Sequence, residues 1–315
     1  MLSIDDCMNA VENAFRLHAE GKTMSPKLLG IHTVDGGFHI KAGIMGLARN
    51  YFVAKINANF PNNARQHNLP TIQGIVIVSD ASDGRLLALI DSIEMTIIRT
   101  GAATAIAAKW LSRTESNVAT ICGCGNQGRI SLVALTRMRK LEKLFAFDTD
   151  ESQIRKFMKE FGSLLTIIPV SIDELSTALR QSDIVVTCTP SKKPFIHPKD
   201  IKPGTFIAAV GADSEEKQEL FADLLVTNKL VVDIAEQSAA IGELHHAIAG
   251  GLITIRDIHA ELGSIIAGKK AGRESNDEII IFDSTGTALQ DVAAAAIVYE
   301  KVVQSQEILT VNFQE

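Results

Sequence analysis

Cysteine is scarce. The 315 residues hold four (Cys7, Cys122, Cys124, Cys188), none spaced as a metal knuckle, which excludes a disulfide-stapled scaffold and a zinc module. No metal is expected, and the chain reads as a cytoplasmic protein of a reducing compartment. Positive charge is also short: 31 Lys and Arg against 37 Asp and Glu leave a net charge of −6, and no basic run gathers on one segment. That argues against a nucleic-acid or anionic-membrane partner. No stretch approaches the roughly 18 apolar residues of a membrane span, and the start, Met-Leu-Ser-Ile-Asp-Asp, lacks a basic region followed by an apolar core. Internal repeats and low-complexity linkers are missing too. What is there is ordinary globular composition, 46% hydrophobic and 22% charged, long enough for two domains and suited to a small-molecule partner.

The chain is organised around residues 117–150. The apolar run Val118–Cys122 predicts a buried parallel strand, followed by Gly123-Cys124-Gly125-Asn126-Gln127-Gly128, a helical stretch, and a second strand ending at Asp148. Three glycines in this order give a tight turn, close backbone approach to a pyrophosphate, and helix packing against the sheet. The helix start offers unpaired N–H groups and a positive dipole end to phosphates. Asp148, twenty residues beyond Gly128, is placed to accept both ribose hydroxyls of NAD and would repel a 2′-phosphate. Thr149 and Asp150 follow where an NADP site would carry arginine. The cofactor expected is NAD, held by Gly123, Gly125, Asn126, Gln127, Gly128 and Asp148, with Thr189 at the end of a later strand.

Around this unit the patterns change in order. Residues 3–21 place Ile4, Cys7, Met8, Val11 and Phe15 at helical spacing behind Ser3 and Asp5 as cap candidates. From about 28 to 91, short strands with turn signals (Phe38–Ala42, Tyr51–Asn57, Thr71–Ser79, Leu86–Asp91) predict a mostly antiparallel platform. Glu94–Leu111 is a long helix whose Gly101-Ala-Ala-Thr-Ala-Ile-Ala-Ala stretch is smooth enough to pack closely on another helix. After Asp148, helices alternate with strands at 164–170, 184–189, 206–211, 230–233 and 278–282, and Ser171-Ile-Asp-Glu174 is a capping box. Such alternation predicts a doubly wound parallel sheet. The fold expected is α/β: a Rossmann domain over 113–286 plus an α+β domain built from both termini, 1–112 and 287–315, with Ala288–Val303 as its last helix.

Several stretches together resemble the ornithine cyclodeaminase/μ-crystallin family: Ala54-Lys55-Ile-Asn57 with Pro61, Leu69-Pro70-Thr71, Ile98-Arg99-Thr100-Gly101-Ala-Ala, Gly123-Cys-Gly-Asn-Gln127, Val210-Gly211-Ala-Asp213 followed by Lys217-Gln-Glu-Leu, and Ile281-Phe-Asp283-Ser-Thr-Gly286. They run in the family's order over nearly the whole chain. The resemblance implies hydride transfer between nicotinamide and the α-carbon of an amino or imino acid, with the terminal-segment domain binding substrate and forming a homodimer. The activity implied is that of an amino-acid dehydrogenase or ketimine reductase. The alternatives are an ornithine cyclodeaminase, in which the same hydride returns and ammonia leaves, and a non-catalytic NADH-binding protein.

By resemblance, Lys55 and Arg99 hold the substrate carboxylate, with Lys27 as a third cation. Arg99 can make two parallel hydrogen bonds, whereas a lysine is a point charge. Without the match, Lys55 reads as an edge-strand lysine and Arg99 as a solvated helix arginine, although Lys55 lies in an apolar run where lysine is uncommon unless paired. Asp213, at the carboxyl end of a strand, is assigned proton transfer at the amine nitrogen, with a helix N-cap as the alternative. Lys41 stands where ornithine cyclodeaminases carry glutamate. A lysine there disfavours a second ammonium and favours a monoamino acid, a cyclic imine or a substrate with a second acid. Thr71 is a weaker substrate contact. Asp283 is assigned to nicotinamide or ribose, with a turn as the alternative. His245-His246 and His259-Ala-Glu261 lack metal spacing.

Overall fold

The computed structural model describes residues 2–24 and 26–305, which divide into two compact units. One unit combines the chain up to Arg99 with the chain from Ala288 onward, and the other runs from Thr100 to Thr287.

In the first unit, helix α1 (Ile4–Ala19) starts where Ser3 accepts the Asp6 N–H, and its apolar stripe buries Cys7, Val11 and Phe15. Strands β1 (Lys27–His32), β2 (Gly37–Gly46), β3 (Asn50–Asn59), β4 (Ile72–Asp80) and β5 (Leu86–Asp91) form an antiparallel meander in that order, with the single turn α2 (Asn63–Gln66) between β3 and β4. Alternation decides the two faces. Met45, Val53, Val76 and Val78 are buried on one, over which the last helix, α11 (Ala288–Ser305), lies beside α1. Gly43 admits that helix, since a Cβ there would stand 3.3 Å from the Ala288 Cβ. Leu29, Phe38, Ile75 and Leu89 stand on the other face and remain partly exposed. No strand was expected at β1. It is an edge strand, exposed over most of its length, so it carries no alternation to read.

The boundary between the units falls inside helix α3 (Ser92–Leu111), at Arg99, rather than at 112. From Thr100 onward this helix packs into the second unit, where Ala102, Ala103, Ala105, Ala107 and Ala108 are fully buried. A Cβ on Gly101 would meet the Ile130 side chain at 2.8 Å, so the small-residue stretch does serve a close helix contact.

The second unit holds β6 (Val118–Cys122), helix α4 (Asn126–Met138), β7 (Lys143–Phe147), α5 (Glu151–Phe161), β8 (Thr166–Pro169), α6 (Ile172–Gln181), β9 (Ile184–Thr187), β10 (Phe206–Ala209), α7 (Ala222–Val226), β11 (Lys229–Val232), α8 (Ala235–Ile241), α9 (Glu243–Ala249), β12 (Ala260–Glu261), α10 (Leu262–Ile266) and β13 (Ile280–Asp283). Every strand pair is parallel, in the order β12-β11-β13-β10-β9-β6-β7-β8. Central strands such as Ile184–Thr187 are buried on both faces, which is why they read as unbroken apolar runs. The expected capping box at Ser171 and Glu174 opens α6. Strand β8 is shorter than the expected 164–170, because Leu164 lies in a turn and is exposed. The order in which successive strands are added reverses between β6 and β9, the switch point beside which ligands of such sheets bind.

Candidate active site

Cross-strand register sets the first cluster. Lys41 on β2 lies directly opposite Lys55 on β3, so both side chains leave the sheet on the covered face. Asp291, in the first turn of α11, meets them there. Lys55 Nζ lies 2.7 Å from Asp291 Oδ1, and Arg99 Nε lies 3.1 Å from the same oxygen. Arg99 Nη1 also donates to Gln290 Oε1 at 2.8 Å. All of these groups are buried, Lys55 at 2% exposure and Asp291 at 0%.

Charge does not balance here. Two cationic side chains, Lys55 and Arg99, share the one Asp291 carboxylate, with the Lys41 charge nearby, and an unneutralised buried charge is costly. The lysine yields first: burial, then the Arg99 charge and that of Lys41, pull Lys55 down to about 7, with Asp291 opposing. Burial works to raise the Asp291 pKa, but the charges of Lys55 and Arg99 outweigh it and hold the carboxyl below its ordinary value. The cluster therefore has room for a further anion. Sequence reasoning missed Gln290 and Asp291; the signal was a polar pair opening an otherwise Ala- and Val-rich helix.

Lys27 does not join this cluster. It pairs with Ala42, one residue out of step with Lys41, and so stands on the opposite face, exposed. Thr71 lies just before β4, exposed, and its carbonyl accepts the Phe60 N–H.

In the second unit, the turn after β6 fits a dinucleotide. Gly123 has φ +102°, a conformation L side chains rarely adopt, and a Cβ on Gly128 would lie 1.9 Å from the Gly123 carbonyl oxygen. Gly125 differs: a Cβ there would touch nothing within 4 Å, so protein packing does not require glycine, whereas approach of a ligand to the backbone would. As N-cap of α4, Gly125 offers no side-chain acceptor, which leaves the first-turn N–H groups at Asn126 and Gln127 without a side-chain cap. Asp148 follows β7 and is fixed by the turn itself, Oδ2 accepting the Cys124 N–H at 2.8 Å and Oδ1 the Asp150 N–H at 2.9 Å. Asp150 in turn caps α5.

Asp213 lies beyond β10 in a loop with no helix start, so the N-cap alternative falls away. Its Oδ1 is 2.6 Å from Lys217 Nζ, and the Asp213 charge raises the Lys217 pKa. Thr189, just past β9, directs both its N–H (2.6 Å) and its hydroxyl (2.7 Å) to Glu219. Asp283 is not a surface for cofactor. Fully buried, its carboxylate accepts the N–H groups of Glu243 and Leu244, capping α9 from the end of β13. Burial raises Asp283 to about 7, the two N–H bonds opposing. Among the described residues no group of three or more His, Cys, Asp or Glu side chains could hold a metal ion.

Fold and site together define a two-unit α/β protein with a Rossmann-type sheet and a separate basic cluster. The family pattern described as ornithine cyclodeaminase/mu-crystallin matches residues 1–306, and the chain belongs to that family. It is 40% identical over 307 residues to an alanine dehydrogenase of Archaeoglobus fulgidus, covering 96% of this chain and 92% of the relative. Its structure superposes on an archaeal alanine dehydrogenase dimer with bound NAD (TM-score 0.94, 38% identity, 99% of this chain and 95% of that one). It also matches a Δ1-pyrroline-2-carboxylate reductase of Thermococcus litoralis in complex with NADH and L-proline (TM-score 0.91, 30% identity, 98% and 96%).

Proposed function

We propose that this chain is an NAD-dependent oxidoreductase acting at the α-carbon of a small amino or imino acid, as a dehydrogenase or ketimine reductase. The observation that carries the reading is the buried pair Lys55 and Arg99 sharing the single carboxylate of Asp291, a net positive charge that suits an α-carboxylate. In this reading Arg99 and Lys41 bind that carboxylate and fix the substrate's orientation. Lys55, pulled down to about 7, gives or takes a proton near neutral pH, and substrate charge arriving beside it favours its protonated form. Asp213 exchanges a proton at the substrate nitrogen, steadied by Lys217. Thr71 and Thr189 are further contacts, to substrate and cofactor.

NAD would be held by Gly123, Gly125, Asn126, Gln127 and Gly128 along its phosphates and by Asp148 at its ribose, and it supplies the hydride donor or acceptor. The paired carboxylates Asp148 and Asp150 disfavour NADP. A second buried lysine beside Lys55 disfavours the diamino substrate of a cyclodeaminase. We also propose a homodimer, supported by the open apolar sheet face bearing Leu29, Ile31, Phe38 and Leu89. A cytoplasmic location is consistent with four free cysteines.

The test offers the purified protein NAD with L-alanine, L-proline, L-ornithine and L-lysine, and NADH with pyruvate plus ammonia and with cyclic imines, following nicotinamide absorbance and product mass together. Absorbance changing in step with product supports the reading. L-Ornithine converted to proline and ammonia without net absorbance change would replace it with cyclodeamination, and tight NADH binding with no turnover would leave a binding protein.

A further inference from the structure

Beyond β10 the chain runs from Gly211 to Glu219 in a loop carrying Asp213 and Lys217. Its neck is closed by one side chain. Glu219 Oε2 accepts the Gly211 N–H at 2.9 Å, while Oε1 accepts the N–H and hydroxyl of Thr189. The same carboxylate thus joins the two ends of the loop to each other and to the turn after β9. Gly211 has no room for anything else: a Cβ would lie 2.5 Å from Glu219 Oε2 and 2.4 Å from the Thr189 carbonyl. Inside the loop, Asp213 is held by its N–H to the Gly211 carbonyl (3.1 Å) and by Lys217. The Lys217 carbonyl is in turn 2.8 Å from His246 Nε2.

Glu219 is itself held by further acids in series. The Glu243 carboxylate accepts the N–H groups of Glu219 (2.7 Å) and Leu220 (3.2 Å), and Asp283 accepts those of Glu243 and Leu244. All three acids are at most 1% exposed, and among the described residues none makes an ion pair. Closing a turn does not need a buried anion, since a threonine or an amide side chain satisfies an N–H group at far lower desolvation cost. A carboxylate supplies what those groups lack, two acceptor oxygens on a rigid fork that fix two N–H groups at once.

We infer that Glu219, backed by Glu243 and Asp283, is a positioning residue that presents Asp213 for proton transfer; this rests on the reading of Asp213 given above. Glu219→Gln keeps one oxygen for Thr189 and turns an amide NH2 toward the Gly211 N–H, loosening only the neck. With the most active substrate of the panel, kcat falls about twentyfold or more. KM and the NADH dissociation constant, from fluorescence titration, stay within about threefold. Glu219→Asp, which restores both oxygens on a shorter stem, recovers part of the loss. Turnover within about twofold of wild type in Glu219→Gln overturns the inference, as does a KM and NADH affinity weakened as much as kcat. Should that variant not fold, Glu243→Gln, which reaches the neck only through the Glu219 backbone, must show the same kcat-selective loss, and an unchanged kcat there overturns the inference equally. Asp213→Asn separates the two levels: full turnover in it sinks the proton-transfer reading itself, whereas an inactive Asp213→Asn beside a fully active Glu219→Gln sinks only the positioning role.

Discussion

Around Asp291 two cations share one carboxylate, whereas beyond β9, β10 and β13 three carboxyls that make no ion pair among the described residues are met by pairs of main-chain N–H groups. Both regions bury charge, and each resolves the cost differently. In the acid series the compensation is internal: each carboxyl has two N–H partners fixed by the fold, which offset part of a burial cost that still raises the pKa values of Glu219, Glu243 and Asp283. In the cation cluster the compensation comes from one carboxylate between side chains, and burial with the Arg99 charge draws the Lys55 pKa toward neutrality from the other side. Main-chain partners hold the acids in place as scaffolding, whereas the side-chain cluster around Asp291 carries a net positive charge, the feature on which the proposed carboxylate site rests.

Removing the lone anion should break the comparison most sharply. Asp291→Ala leaves Lys41, Lys55 and Arg99 facing one another and is expected to cost about 3–5 kcal/mol in urea unfolding. Lys55→Met, which relieves the surplus, should cost less than half as much while lowering kcat by about a hundredfold or more. Equal losses of stability would show that the cations are not in excess.

The two regions should also pull stability in opposite directions with pH. Asp283, raised from 3.8 to about 7, makes the folded chain the better proton binder between those values. Its stabilising proton is fully present below about 4 and is lost as pH rises through about 7. Lys55, lowered from 10.5 to about 7, makes the unfolded chain the better proton binder above 7. Its contribution therefore rises between about 7 and 10.5 and is lost as pH falls back toward 7. Each amounts to at most roughly 4–5 kcal/mol across its window. Denaturation midpoints measured from pH 4 to 10 should fall and then recover, with Asp283→Asn flattening the acid side and Lys55→Met the alkaline side; a variant that flattens the other limb contradicts the assignment.

Within the acid series, Glu243→Gln keeps one acceptor of two and should cost about 1–3 kcal/mol. Smallest of all, Lys27→Ala on the far sheet face should leave stability within about 0.5 kcal/mol and KM within about twofold. A large KM increase there would return Lys27 to the substrate site.

What could be read from the chain beforehand follows the same division. The strand, the glycine turn and the place of Asp148 after the next strand were legible because a tight turn is local backbone geometry, and local geometry is written in consecutive residues. Lys55 stood out as a lysine within an apolar strand, and Lys41 through the family resemblance. Their partner Asp291 was invisible because it lies 236 residues from Lys55, and only the packing of α11 on the sheet joins them. Asp283 was misassigned for a related reason: a carboxylate after a strand looks the same in sequence whether it faces a ribose or caps a helix 40 residues earlier in the chain. Lys27 failed by a single residue of register, which alternation converts into the wrong face.

The closed neck of the Gly211–Glu219 loop bears on how new specificities arise. Because Glu219 ties the ends together, the segment 214–216 lies beyond the tie, fastened by the Ser214 carbonyl to the Lys217 N–H and by Glu216 to Lys192, and exchanges there need not disturb β9 or β10. The loop is in effect a replaceable cassette on a fixed mount, and directed libraries confined to residues 214–216 would change the surroundings of Asp213 while leaving the sheet that carries it intact.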